Sequence, residues 1–243
     1  MDIQDHVEKP VMVFLPGKLC DQRVWQQQMT QLSDIIQPIC VDLRYCETLD
    51  DMLSAVGHSC KVPFLLAGFS LGGYVAQEFI LKYPERVRGL VLAGFSAKGF
   101  TEEEKQTYIK LMKAVREGKA TVMTGNALRQ YISPKHYGDI DLVNLIEDMA
   151  NTAGDAVFLR QQQATLNRVK RFEDIAKISC PVLIIAGSDD KLVTLADSKS
   201  TASAIPNAEF QVIQESGHMT PLEQPDKLTK ILREWIVRVI NMP

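Results

Sequence analysis

The chain has 243 residues, 46% of them hydrophobic and 23% charged, with a net charge of −3. That is enough for one large α/β domain, or a core with a small insertion, in an ordinary soluble protein. The slightly acidic balance and the lack of any long Lys/Arg run argue against nucleic acid as a partner, and no apolar stretch is long enough for a membrane span. The five cysteines, Cys20, Cys40, Cys46, Cys60 and Cys180, are odd in number, scattered and without a C-x-x-C pair. They fit reduced thiols better than a disulfide frame or a zinc site. Residues 1–10 are charged and lack an apolar core, so they do not read as a signal peptide. The expected location is cytoplasmic.

Taken in order, Val11 to Leu15 reads as a buried strand ended by Pro16-Gly17, Val24 to Leu32 as a helix, and Ile36 to Val41 as a second strand closing at Asp42. Leu49 to Val56 is helical by pattern. A strand at Phe64 to Ala67 then runs into a helix over Leu71 to Tyr83, and another strand follows at Val87 to Ala93. Later come strands at Val182 to Ala186 and Glu209 to Ile213, and an amphipathic helix at Asp226 to Ile240. Apolar runs alternating with helices predict a mostly parallel sheet covered on both faces, with the ligand site beyond the carboxyl ends of the strands. The alternation breaks between Ala97 and about Lys170, where four helices are expected: Glu102 to Arg116, Ala120 to Tyr131, Asp141 to Asn151 and Asp155 to Asn167. Part of their apolar surface must pack on the core, and the remainder suits a lid that roofs the site and keeps water out.

Between the third strand and its helix lies Gly68-x-Ser70-x-Gly72. A serine at so sharp a turn takes strained backbone angles, and side chains two residues to either side would collide with neighbouring elements. The strain lifts the hydroxyl clear and aims the first N–H groups of the helix at the same spot. Ser70 is therefore a candidate nucleophile rather than only a helix cap. A hydroxyl needs a base to remove its proton during attack. Of the four histidines, His218 follows the last strand, on the side of the sheet where Ser70 stands; His6 lies in the terminus, His58 precedes a strand, and His136 in the insertion is a candidate lid contact. The imidazole needs a carboxylate, and Asp189 and Asp190, just after a strand, are both available unless one caps the next helix. Two N–H donors should converge on the oxyanion: that of Leu71, after the nucleophile, and that of Lys18, in the loop after the first strand.

With these segments in place the sequence resembles the α/β-hydrolase superfamily, in particular its lid-bearing branch of small-ester hydrolases and enol-lactonases. The matching stretches are Phe14-Leu15-Pro16-Gly17 through Trp25, the Ser70 elbow, Gly187-Ser188-Asp189-Asp190, and Gly217-His218-Met219-x-x-Leu222-Glu223-x-Pro225. The resemblance assigns the acid to Asp190 and the base to His218. Only ten residues precede the first strand, too few for the family's usual opening hairpin, so a six-stranded, shortened sheet is expected, with core segments at 1–96 and 171–243 and an all-helical lid at 97–170. Two departures bear on the site: Pro16 stands where the family usually has His, and residues 43–48 lack its Gly-rich loop.

The expected reaction is hydrolysis of a small carboxylic ester or related acyl compound through an acyl-enzyme, with no metal and no organic cofactor. Lactone, thioester and carbon–carbon bond hydrolysis use the same parts, and a ligand-binding pseudo-hydrolase is the alternative of another class. Arg160, Arg168, Lys170 and Arg171 near the end of the lid are conceivable contacts for an acyl-carrier ester, but read more simply as a solvated helix face. A small-molecule acyl substrate is the partner the residues point to; none of them speaks to oligomeric state.

Overall fold

The computed structural model describes residues 9–123 and 125–242. Its centre is a sheet of six parallel strands in the order β2-β1-β3-β4-β5-β6, formed by β1 (Val11–Leu15), β2 (Gln37–Cys40), β3 (Phe64–Phe69), β4 (Val87–Ala93), β5 (Val182–Gly187) and β6 (Glu209–Ile213). Parallel strands buried on both faces should be apolar throughout, and all six residues of β3 and of β5 are buried. Side chains alternate between two cores. Met12, Phe14, Leu65 and Val91 face one, while Val13, Leu15, Leu66 and Leu92 face the other.

On the first face pack α1 (Gln26–Leu32) and α9 (Pro225–Ile240), which buries Leu228, Leu232, Trp235 and Ile236. The second face is covered by α2 (Leu49–Ser59) and α3 (Leu71–Lys82), with α7 (Leu195–Ala204) placing Ala202 in the same core. Thr48 and Asp51 form a capping box that starts α2, satisfying N–H groups that a helix end leaves free. Asp226 to Ile240 was expected as the closing helix, and α9 runs one residue longer at its start, with Pro225 at a position where a missing N–H costs nothing.

Between β4 and β5 the chain is helical, as its pattern indicates. Helix α4 (Glu102–Arg116) begins at a Thr101–Glu104 capping box. Helix α5 (Ile140–Thr165) breaks at Gly154, whose φ of 72° is outside the helical region, so it continues as two pieces. One expectation fails here. Among the described residues of Ala120 to Tyr131 no α-helix forms: only Gly125–Gln130 winds, as a 3₁₀ segment, and Met123 and Gly125 both take positive φ. Met112, Ile146, Met149 and Phe158 from this region join the core that also holds Leu19, Trp25 and Phe69. Two short helices have no helical period in the sequence, α6 (Phe172–Ile175) and α8 (Thr220–Glu223).

Candidate active site

The site is built on the turn from β3 to α3. Ser70 takes φ 53° and ψ −109°, a conformation that costs a non-glycine residue on the order of 1–3 kcal/mol. It is held there by its N–H, which donates to Ala93 O of β4 at 2.9 Å, and by its carbonyl, which accepts from Tyr74 N at 3.1 Å. The flanking glycines are required by close approach. A Cβ on Gly68 would stand 2.3 Å from Gly72 O, and one on Gly72 would stand 2.3 Å from Leu15 O.

His218 lies between β6 and α8, and Asp190 follows β5; both loops end at the carboxyl edge, where they are tied together by Asp189 N donating to Ser216 O at 2.8 Å. His218 Nε2 stands 2.8 Å from Ser70 Oγ, and His218 Nδ1 stands 2.8 Å from Asp190 Oδ2. Asp190 Oδ1 accepts from Leu192 N and Val193 N at 2.8 and 2.9 Å, which fixes the carboxylate's orientation. His218 and Asp190 are only 4% and 8% exposed, so the pair is shielded from competing water. The imidazole also packs on the rings of Phe69 and Tyr131, with centroids 5.2 and 6.2 Å away. Asp189 does something else: it accepts hydrogen bonds from Ser133 Oγ at 2.5 Å and Ser188 Oγ at 3.0 Å. His58 is exposed against Ser54, His136 is hydrogen-bonded to Glu215 O, and His6 lies outside the described residues.

The N–H groups of Leu71 and Lys18 have no protein acceptor among the described residues. Leu19, beside Lys18, adopts φ 58°, and its own N–H donates to Gln161 Oε1 of α5 at 2.9 Å. Gln161 therefore braces the loop after β1, where the more usual His-Gly sequence is replaced by Pro16-Gly17. Nothing local in the sequence reveals this contact, which joins residues 142 positions apart.

A buried carboxylate also went unassigned from the sequence. Glu223 Oε2 accepts from Ser133 N at 2.6 Å and Gly217 N at 2.9 Å. Burial pushes the Glu223 carboxyl up from its ordinary value, against the two N–H bonds that favour its charge. Its place within Gly217-His218-Met219-x-x-Leu222-Glu223-x-Pro225 was the available signal.

Beside Ser70 is a cavity of about 90 Å³ whose wall includes Tyr74, Gln77, Phe100, Tyr108 and Arg168. The basic residues near the end of α5 are not one solvated face. Arg171 pairs with Glu78 at 2.8 Å, Arg160 donates to Arg44 O, and Arg168 turns into the cavity wall. A larger groove of about 620 Å³ lies near Lys82, at the opposite end of α3 from Ser70, roughly 16–18 Å along the helix axis. Among the described residues no group of three or more His, Cys, Asp or Glu could hold a metal ion, and no helix is long and apolar enough to cross a membrane.

A six-stranded parallel sheet with helices on both faces and a helical segment after β4 is the architecture of an α/β-hydrolase. Residues 43–225 match the family described as serine aminopeptidase, S33, and the chain belongs to that family. Among characterised proteins, 3-oxoadipate enol-lactonase 2 of Acinetobacter baylyi is 25% identical over 233 residues, 90% of this chain and 85% of that one. A monoacylglycerol lipase of Mus musculus is 23% identical over 262 residues, 96% of this chain and 77% of that one. In structure, a thermophilic esterase from Thermogutta terrifontis superposes with a TM-score of 0.86 at 23% identity, over 95% of this chain and 90% of that chain. The enol-lactonase of Burkholderia xenovorans LB400 gives 0.83 at 16% identity, over 96% and 94%. These structural likenesses speak for the fold.

Proposed function

We propose that the chain is a serine hydrolase of a small carboxylic ester or related acyl compound, with Ser70, His218 and Asp190 as nucleophile, base and acid. The observation that carries this reading is the unbroken relay of two 2.8 Å contacts, Ser70 Oγ to His218 Nε2 and His218 Nδ1 to Asp190 Oδ2, ending on a serine held at φ 53°. A positioned imidazole can take the Ser70 proton as Oγ attacks the carbonyl carbon, and Asp190 holds the ring in the tautomer that leaves Nε2 free to accept. The tetrahedral oxyanion is met by the N–H groups of Leu71 and Lys18, one at the positive end of α3. His218 then gives its proton to the leaving alcohol, and a water activated in the same way releases the acid and restores Ser70. These steps call on no metal and no organic cofactor.

The helical segment at 97–170 acts in this reading as a lid, with 1–96 and 171–243 as the core. Five free thiols, of which Cys20, Cys46 and Cys60 are buried, support a reducing compartment such as the cytoplasm. The similarity to an enol-lactonase supports a lactone as the alternative acyl compound, since ring opening uses the same nucleophile and oxyanion donors. Hydrolysis of p-nitrophenyl esters from acetate to decanoate, with Ser70→Ala in parallel, tests the proposal. Turnover in the wild type that disappears in the variant supports it; equal inertness of both across esters and lactones sinks it.

A further inference from the structure

The wall of the cavity beside Ser70 holds three charged side chains, and Arg168 is the one that no carboxylate pairs with among the described residues. Arg168 shares the wall with Ser70, and its guanidinium lies 4.5 Å from the ring centroid of Tyr74 and 5.0 Å from that of Phe100. Among the described residues no carboxylate pairs with it, and its Nε is buried without a hydrogen-bond partner. The nearby acids are engaged elsewhere: Glu78 with Arg171 at 2.8 Å, and Glu104 with Thr101 N at 2.8 Å and Lys98 at 3.5 Å. The two aromatic rings stabilise the cation without using its N–H donors.

Lys18, outside the cavity wall, repeats the pattern at the ring of Tyr108, which lines that wall. Its ammonium lies 5.1 Å from that ring centroid and 5.8 Å from that of Phe158, and hydrogen-bonds Gln162 Oε1. It too has no carboxylate partner among the described residues. The Oε1 atoms of Gln161 and Gln162 are taken by Leu19 N and Lys18 Nζ, and the two amide nitrogens are buried without acceptors. The buried unpaired atoms of Gln161, Gln162 and Arg168 are donors, whereas Gln77, on the cavity wall, leaves an acceptor, Oε1, unpaired. Burial, with the Arg168 charge acting in the same sense, brings the Lys18 ammonium down to about 7; burial also lowers Arg168 to about 10. Cations and donors left unpaired in a shielded site are costly, and an incoming anion relieves that cost.

We infer that the acyl compound carries a carboxylate, remote from the scissile bond, which sits against Arg168. A planar two-oxygen anion matches the guanidinium fork. The cavity of about 90 Å³ is well below the roughly 300–1,000 Å³ of sites for drug-sized ligands, which points to a short acyl part. The inference rests on the serine-hydrolase reading of the same site and narrows it to half-esters of short dicarboxylic acids, or lactones bearing a carboxylate, over simple alkyl esters.

Monoethyl succinate and ethyl butyrate have the same acyl length and differ in a terminal carboxylate against a methyl. Calorimetric titration of both into Ser70→Ala measures recognition without turnover. The half-ester is expected to bind at least about tenfold more tightly, as one charge-assisted hydrogen bond supplies. In Ser70→Ala/Arg168→Gln that ratio falls towards one, and with Arg168→Lys it is intermediate. Equal affinity for the two esters, or no measurable binding of the half-ester, overturns the inference. Circular dichroism shows whether Arg168→Gln folds; if it does not, the ratio in Ser70→Ala and in the Arg168→Lys variant decides. Wild-type turnover is a separate readout. Ser70-dependent hydrolysis of both esters with no preference overturns the carboxylate site and leaves the hydrolase, whereas tight half-ester binding without hydrolysis does the reverse.

Discussion

Glu223 holds the backbone N–H of Gly217 at 2.9 Å, so a buried carboxylate fixes the residue that precedes His218. The same oxygen takes Ser133 N, in the segment above the sheet. Glu223→Ala strands two buried donors, each worth about 1–3 kcal/mol. At about 2–4 °C per kcal/mol for a chain of this size, the melting temperature should fall by several degrees. Glu223→Gln should lose less, because its amide oxygen can stand at Oε2 and its nitrogen where Oε1 has no partner. The carboxyl is raised above its ordinary value near 4.5, so between that value and the raised one the fold binds more protons than the unfolded chain. Stability from this group therefore falls as pH rises through that window. Melting curves from pH 4.5 to 7 should show the gap between wild type and Glu223→Gln shifting in the variant's favour; a constant gap would show that Glu223 does not titrate differently in the fold.

Asp190→Asn separates orientation from charge. Its oxygen would keep the bonds from Leu192 N and Val193 N, which leaves the amide NH₂ facing His218 Nδ1. Nδ1 must then accept, the proton moves to Nε2, and the ring can no longer take the Ser70 proton. On the proposed mechanism kcat should drop by about 10⁴ while the melting temperature changes little. Ester hydrolysis within tenfold of wild type would remove Asp190 from the mechanism.

Lys18 gives a pH signature of the opposite sign to Glu223. Its value falls from 10.5 unfolded to about 7 folded, so between those limits the unfolded chain binds more protons. The cost of burying its charge is complete below about pH 7 and is relieved as pH rises. Lys18→Met should be more stable relative to wild type at pH 6 than at pH 9.5, as measured by denaturant midpoints in each buffer.

Gly217→Ala would place a Cβ 2.6 Å from Ile132 C and Ser133 N, both backbone atoms that cannot swing aside. The loop must move, at a cost of about 1–3 kcal/mol in stability. Displacement of the neighbouring imidazole by about 1 Å should reduce kcat on the order of 10²-fold. Near-wild-type turnover in Gly217→Ala would show that His218 is positioned independently of this contact.

The regular elements were legible because their physics is local. Val11–Leu15 and Val182–Gly187 are apolar runs, the first ended by Pro16-Gly17, and Glu209–Ile213 alternates polar and apolar residues as an edge strand does. The Ser70 turn is equally local, since the glycine spacing follows from steric limits within a few residues. Contacts across the fold were not legible. Glu223 meets Ser133 from 90 positions away, and Gln161 meets Leu19 from 142. Arg168 illustrates the limit most clearly. In sequence it belongs to a basic run, and only the fold brings its guanidinium against the rings of Tyr74 and Phe100. The Ala120 to Tyr131 stretch has helical composition, yet positive φ at Met123 and Gly125 interrupts it.

Tyr131 O receives Met219 N at 3.0 Å, Ile132 abuts Gly217, and Ser133 bonds both Asp189 and Glu223. Residues 131–133 are therefore scaffold for the His218 loop, although in sequence they fall within the segment inserted after β4. Anyone grafting a foreign helical segment onto this core to change substrate range should cut after 133 or leave this tripeptide native. A chimera joined at 97 and 170 would exchange the support of the His218 loop together with the helices.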